Sequence, residues 1–277
     1  MKLPPDLGVV QMGFETGAVR PQLPPMHRRL PSALMFTVLF AALAWGFSPT
    51  SQAAETSSTS TNHYRTGTAT RDGIGKFYFG REIAKFMTYH GAPWLERTER
   101  QEEERSDLLM KALKFQPGEA VADIGAGSGY YSRLIARAVG TNGVVYGTDI
   151  QQEMLDILTN KAAQAGIHNI RPVLGTESDP KLAANSVDTI LIVDVYHEME
   201  FPFEMMAGLA ASLKPGGRLV LVEYRGEDRA VPIKELHKMT EEQMKKELAP
   251  HPLKFDETLR MLPWQHVMIF RKNGQTK

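Results

Sequence analysis

Val121-Ala122-Asp123-Ile124-Gly125-Ala126-Gly127-Ser128-Gly129-Tyr130-Tyr131-Ser132 is a short apolar run that ends in an acid, passes through three alternate glycines and enters a helical pattern. Glycine suits such a place because the backbone must turn sharply and let a ligand approach without a Cβ in the way. A dinucleotide fingerprint of the form Gly-x-Gly-x-x-Gly would need glycine where Tyr130 stands, so that spacing fails. A serine-hydrolase elbow centred on Ser128 fails too, because it would need glycine at Ala126 and Tyr130.

Downstream of the loop, Asp149 lies twenty residues after Gly129 at the end of the next apolar run. A carboxylate there can accept both hydrogen bonds of a ribose diol. From Lys76 onward, strand-length apolar segments alternate with amphipathic ones of helix length, a rhythm that predicts a parallel sheet covered on both faces. The expected strands are 120–124, 143–149, 170–174, 187–193 and 217–223, with helices near 129–139, 151–165 and 203–213. Lys214-Pro215-Gly216-Gly217 is turn chemistry between a helix and a strand. Residues 253–262 and 265–271 flank Pro263-Trp264 and predict a closing antiparallel hairpin. Upstream of the sheet, 78–90 and 101–114 read as two helices, with the acids of Glu102–Arg105 a solvated helix start.

The Asp-x-Gly-x-Gly-x-Gly loop with its partner Asp149 resembles the class I S-adenosylmethionine (SAM) dependent methyltransferase family, over about 200 residues from near Phe77 to Lys272. The resemblance implies an α/β fold with a doubly wound, mostly parallel seven-stranded sheet of order 3-2-1-4-5-7-6, the last strand antiparallel, beneath an N-terminal helical lid. It also implies SAM as cofactor. Asp123 would face the amino end of SAM, Gly125, Ala126 and Gly127 would admit the methionine part, and Asp149 with Ile150 would take the ribose. Thr176 and Glu177, after the third strand, would hold the adenine. Asp194, after the fourth strand, would border both SAM and the methyl acceptor.

Ligands of an open α/β sheet bind beyond the carboxyl ends of its strands, which places Asp194, Val195, Tyr196, His197 and Glu198 against the reacting centre. His197 could take a proton there, since imidazole titrates near neutrality, or could merely order the loop by hydrogen bonding. Asp194 and His197 are therefore the candidate catalytic residues, although many methyl transfers need alignment alone. His197-Glu198 begins like a zinc-protease motif, but Phe201 occupies the position of the second histidine, and no metal site is expected. Tyr89 to Arg97 would form part of the lid, with Tyr89 and Trp94 packing on the sheet or touching the acceptor. His266 and Trp264 fall at the hairpin turn and receive no role.

Residues 33–47 carry no charge, follow Arg28-Arg29 and precede the small residues Ser51-Gln52-Ala53-Ala54, the three-part grammar of an export signal. As a helix this run would reach about 22 Å against a hydrocarbon core of about 30 Å. Cleavage after Ala53 is thus expected over a retained anchor, so membrane contact would be transient, and Met26 is an alternative start. Export to a bacterial periplasm follows as the expected location. Residues 54–75, rich in Ser and Thr, read as a disordered linker, leaving 76–277 as the enzyme domain.

Lys plus Arg equals Asp plus Glu at 32 each, and cysteine is absent. Balanced charge disfavours broad nucleic-acid binding. The absence of cysteine excludes disulfides, thiolate metal sites and a cysteine nucleophile. The chain lacks an Asn-Pro-Pro-Tyr type signature at 194–197, which favours a small-molecule methyl acceptor with an O, N or C nucleophile. Two alternatives stay open: a SAM-fold binding protein without catalysis, raised by the scarcity of SAM outside the cytosol, and an NAD-dependent oxidoreductase, weakened by Tyr130.

Overall fold

The structure, a computed structural model, describes residues 63–274. The export signal, the alternative start and the first part of the Ser/Thr-rich stretch lie outside the described residues.

Seven strands run in the order expected. β4 (Ala120–Ile124), β5 (Val144–Asp149), β6 (Ile170–Leu174), β7 (Val187–Val193), β8 (Leu213–Arg225), β10 (Leu253–Leu259) and β11 (Gln265–Lys272) form the path β10-β11-β8-β7-β4-β5-β6. β4 pairs in parallel with β5 and β7, and β11 is antiparallel to both β8 and β10. A short β9 (Lys238–Met239) adds to β8 off this path.

Alternation along the strands explains why helices cover both faces. In β7, Ile190 and Ile192 join one buried cluster while Leu191 and Val193 join the other. β8 repeats this with Leu219 and Leu221 against Val220 and Val222, as does β11 with Met268 and Phe270 against Val267 and Ile269. Strands buried on both faces must read as continuous apolar runs, as these do. The first face is covered by α6 (Pro202–Ser212) and α7 (Glu241–Leu248). The second is covered by α3 (Ser106–Leu113), α4 (Tyr130–Val139) and α5 (Gln152–Gln164). Among the described residues no helix is long and apolar enough to cross a membrane.

The segment before β4 departs from expectation. The helix predicted over 78–90 is absent; instead β1 (Tyr64–Thr66), β2 (Gly73–Tyr78) and β3 (Arg81–Ala84) make a three-stranded antiparallel sheet. Its turns are held by Glu82, whose Oε1 accepts from the Thr70 and Gly75 amides at 3.0 Å each. Residues 63–75 are thus ordered in strands and turns, where a disordered linker was expected; backbone pairing to β2 and the packing of His63 and Tyr64 on Phe203, Tyr78 and Phe201 hold them. Helix appears only afterwards, as α1 (Ala92–Leu95), α2 (Arg100–Glu104) and α3. The single helix expected over 101–114 is broken at Arg105, whose φ of 51° lies in the left-handed region. Nor is the acidic run all solvated, for Glu104 is buried and takes Arg100 and Arg97 at 2.8 Å each.

Candidate functional site

The glycine loop connects β4 to α4 with φ of +65° at Gly125 and +53° at Gly127. A Cβ on Gly125 would stand 2.6 Å from the Val195 side chain, and one on Gly127 would stand 2.7 Å from Leu95. Glycine is therefore required by conformation and by space at once. The loop opens a cleft above the carboxyl ends of β4 to β7, where an open α/β sheet binds its ligands. Asp123, Gly125, Ala126, Gly127, Asp149, Ile150, Thr176, Glu177 and Asp194 all line this one cleft.

Asp149 is fastened by backbone. Its Oδ2 accepts from the Gly127 amide and its Oδ1 from the Gln151 amide, both at 2.9 Å. Burial raises its carboxyl above the ordinary range, and these amides pull it back only in part. Asp123 lies deeper. Its Oδ2 accepts from the Ser132 hydroxyl at 2.6 Å, and burial pushes its carboxyl up to about 6. Thr176 accepts the Asp179 amide at 3.1 Å and shapes the loop after β6, while Gly175 donates to the Asp149 carbonyl at 2.9 Å.

Asp194 has a φ of 54°, an uncommon conformation for a side chain of its size and a recurrent mark of functional turns. Gln265 donates to its Oδ2 at 3.2 Å, while Oδ1 has no hydrogen-bond partner among the described residues. Burial, reinforced by Glu104 and Glu223, drives this carboxyl well above the usual range.

His197 does not line the cleft. Of its two expected roles, base facing the acceptor or ordering of the loop by hydrogen bonding, its buried position supports the second. Nδ1 lies 2.6 Å from Glu223 Oε2, and Nε2 lies 3.0 Å from Nδ1 of His237. Burial pulls this imidazole down, and the Glu223 carboxylate more than offsets it, leaving the ring raised. Its neighbour Glu198 does reach the cleft.

The opposite wall comes from the segment before β4. Phe86, Met87, Trp94 and Leu95 line the same cleft as Met199 and Met205. Trp94, for which packing and acceptor contact were both open, is a lining residue, with the Arg97 guanidinium stacked 3.8 Å from its ring centre. Arg100 and Gln151 are among the lining residues that had no signal in the sequence. Arg100 sat inside a charge run, and Gln151 looked like an ordinary helix start; its amide side chain donates to the Met87 carbonyl at 3.0 Å and ties the wall to β5. Ser128 donates to Glu96 at 2.6 Å and is fully buried, consistent with its exclusion as a nucleophile.

A glycine loop, a carboxylate at the end of the second strand and a sheet of this order define a nucleotide-type cleft in a class I, Rossmann-like methyltransferase fold. Residues 121–217 match the model of a methyltransferase domain. A SAM-dependent methyltransferase from Aquifex aeolicus superposes with a TM-score of 0.64 at 21% identity, covering 68% of this chain and all of that one. Over 114 residues the chain is 27% identical to a demethylmenaquinone methyltransferase of Listeria monocytogenes and 37% identical to one of Tropheryma whipplei. These alignments cover 41% of this chain and 48% and 45% of the relatives, so the chain spans about half the length of the curated relatives it matches. A [4+2]-cyclase shares the fold at a TM-score of 0.53 and 15% identity, covering 61% of this chain and 82% of that one. Residues 121–217 therefore form a methyltransferase domain in a fold shared with SAM-dependent methyltransferases, and SAM is the cofactor that this fold implies.

The cleft residues fit that cofactor. The buried carboxyl of Asp123 matches an ammonium group, the amide-fastened Asp149 presents free lone pairs to a diol, and the space over Gly125 and Gly127 is space that a Cβ would fill.

Proposed function

We propose that this protein transfers the methyl group of SAM to a small, largely apolar acceptor. An O, N or C atom of the acceptor attacks the methyl carbon in line, the carbon–sulfur bond breaks, and the sulfonium becomes a neutral thioether. The acceptor's proton, where one is lost, goes to solvent. One observation carries this reading: a single cleft joins a carboxylate end, Asp123 and Asp149, to an apolar wall of Phe86, Met87, Trp94, Leu95, Met199 and Met205.

In this assignment Asp149 binds the ribose and Asp123 the ammonium of SAM, while Thr176 and Glu177 border the adenine. Asp194 turns between cofactor and acceptor. Burial raises its carboxyl well above the usual range, so it lines the cleft with less negative charge than an ordinary carboxylate. The rate then comes from alignment of two bound reactants, which needs no imidazole base. The chain's similarity to demethylmenaquinone methyltransferases supports an apolar, quinone-like acceptor ring, which the aromatic and methionine wall suits.

The test is transfer of labelled methyl from SAM to a panel of quinols, phenols and amines by the full-length protein. Turnover of at least one ring acceptor, lost when Asp149 becomes alanine, supports the assignment. SAM binding without turnover on any acceptor would replace it with a binding protein that keeps the fold. Export is proposed on the 33–47 segment alone, and fractionation of the producing cells tests it: protein found only in the cytosolic fraction would overturn it.

A further inference from the structure

We propose that His197, Glu198 and His237 form a binding site for one divalent transition ion of the zinc class. It stands whether or not the cleft transfers a methyl group. The three donor atoms converge: His197 Nε2 lies 3.0 Å from His237 Nδ1 and 3.8 Å from Glu198 Oε1, and His237 Nδ1 lies 3.4 Å from that same oxygen. Neighbouring corners of a tetrahedron with metal–ligand bonds of about 2.0–2.1 Å are about 3.3 Å apart, and the three measured separations bracket that value.

A shared proton explains only part of this arrangement. One hydrogen can occupy the 3.0 Å contact between the two rings. Glu198 Oε1 at 3.4 and 3.8 Å stands nearer to the spacing of two ligands on one ion than to hydrogen-bond spacing.

The surroundings are those of a metal ligand. Glu223 is fully buried, and its Oε2 at 2.6 Å from His197 Nδ1 makes that nitrogen the protonated one, leaving the Nε2 lone pair directed at the site. The carboxylate is itself held, since its Oε1 accepts the Tyr196 amide at 2.8 Å. Arg81 donates to the His197 carbonyl at 3.0 Å and fixes the turn. His237, with 22% of its side chain exposed, leaves an entry path and a fourth position for water. Two imidazoles and a carboxylate suit zinc, with cobalt as a spectroscopic substitute.

The ion would clasp the turn after β7 to the 226–240 segment. Glu198 reaches both the ion and the cleft, and its Oε2 accepts the Met87 amide at 3.2 Å, so the clasp would also brace the apolar wall.

The experiment is calorimetric titration of chelator-stripped full-length protein with zinc sulfate, repeated for His237→Ala, Glu223→Gln and the surface control His168→Ala. One ion per chain is expected, with affinity unchanged in His168→Ala and weakened roughly tenfold or more in His237→Ala and Glu223→Gln. Cobalt should give the visible absorption of a tetrahedral site in the parent protein and not in His237→Ala. Because His237 is partly exposed, that variant should unfold at the same temperature as the parent when both are metal-free. No zinc binding by the parent, or equal binding by His237→Ala, would overturn the proposal.

Discussion

The cleft and the histidine corner meet along one turn, Asp194 to Glu198, yet they are built in opposite ways. In the cleft, charge is held by backbone: Asp149 is fastened by two amides that the glycine loop and the start of α5 present. In the corner, charge is held by side chains from β8, the 226–240 segment and the small N-terminal sheet. Backbone donors are spaced by local conformation and leave carboxylate lone pairs for a ligand. Side-chain partners consume those lone pairs and bind distant segments together.

The comparison can be broken hardest at Arg81. Its guanidinium takes both oxygens of the fully buried Glu247 at 2.8 and 2.9 Å and also supports the corner through the His197 carbonyl. Arg81→Ala should cost about 3–5 kcal/mol in denaturant unfolding, because it leaves a buried carboxylate unpaired. A loss below about 1 kcal/mol would mean that the side-chain-built corner is not a stability element.

Asp149→Ala attacks the other half. It removes an acceptor from two amides and from the ribose, so SAM affinity in a calorimetric titration should fall on the order of a hundredfold, about 3 kcal/mol. The fold should survive, since the amides can turn to water in the open cleft. Unchanged SAM affinity would refute the assignment of this residue.

Gly125→Ala asks whether the loop is as constrained as its geometry states. At φ of +65° and 2.6 Å from Val195, the added methyl should cost about 1–3 kcal/mol of stability and weaken SAM binding. Thermal unfolding with and without SAM separates the two effects.

The comparison can also be sharpened by pH. Asp123 is raised to about 6 from an ordinary value of 3.8, so the folded chain holds this proton more tightly than the unfolded one. Its contribution to stability is therefore greatest at low pH and is lost as pH rises from about 3.8 to about 6. SAM, whose ammonium favours the carboxylate, reverses the sign for binding. Affinity should fall about tenfold per unit below pH 6 and level off above it. A flat profile across that range would remove Asp123 from contact with the ammonium.

The strands 120–124, 170–174 and 187–193 and the carboxyls Asp123 and Asp149 were legible because each depends on short-range pattern, namely apolar runs, alternate glycines and an acid at a strand end, whereas the sheet order came from the family resemblance. β8 was anticipated only from Gly217, since Lys214-Pro215-Gly216 reads as a turn although the strand begins at Leu213. The N-terminal sheet was missed because its strands are only three to six residues long and because long-range partners such as Glu247 for Arg81 help to hold them. For His197 the sequence left two roles open, and its bonds to Glu223 and His237 favour the loop-ordering one.

From its sequence alone this protein determined its βα rhythm and the loop that its cofactor requires, because strand burial and positive φ are properties of a few consecutive residues. Only the tertiary structure decided which way His197 faces, which wall closes the cleft and that His237 stands forty residues on beside it. Those depend on how a turn rolls and on what distant segments pack against it, and no local spacing encodes either.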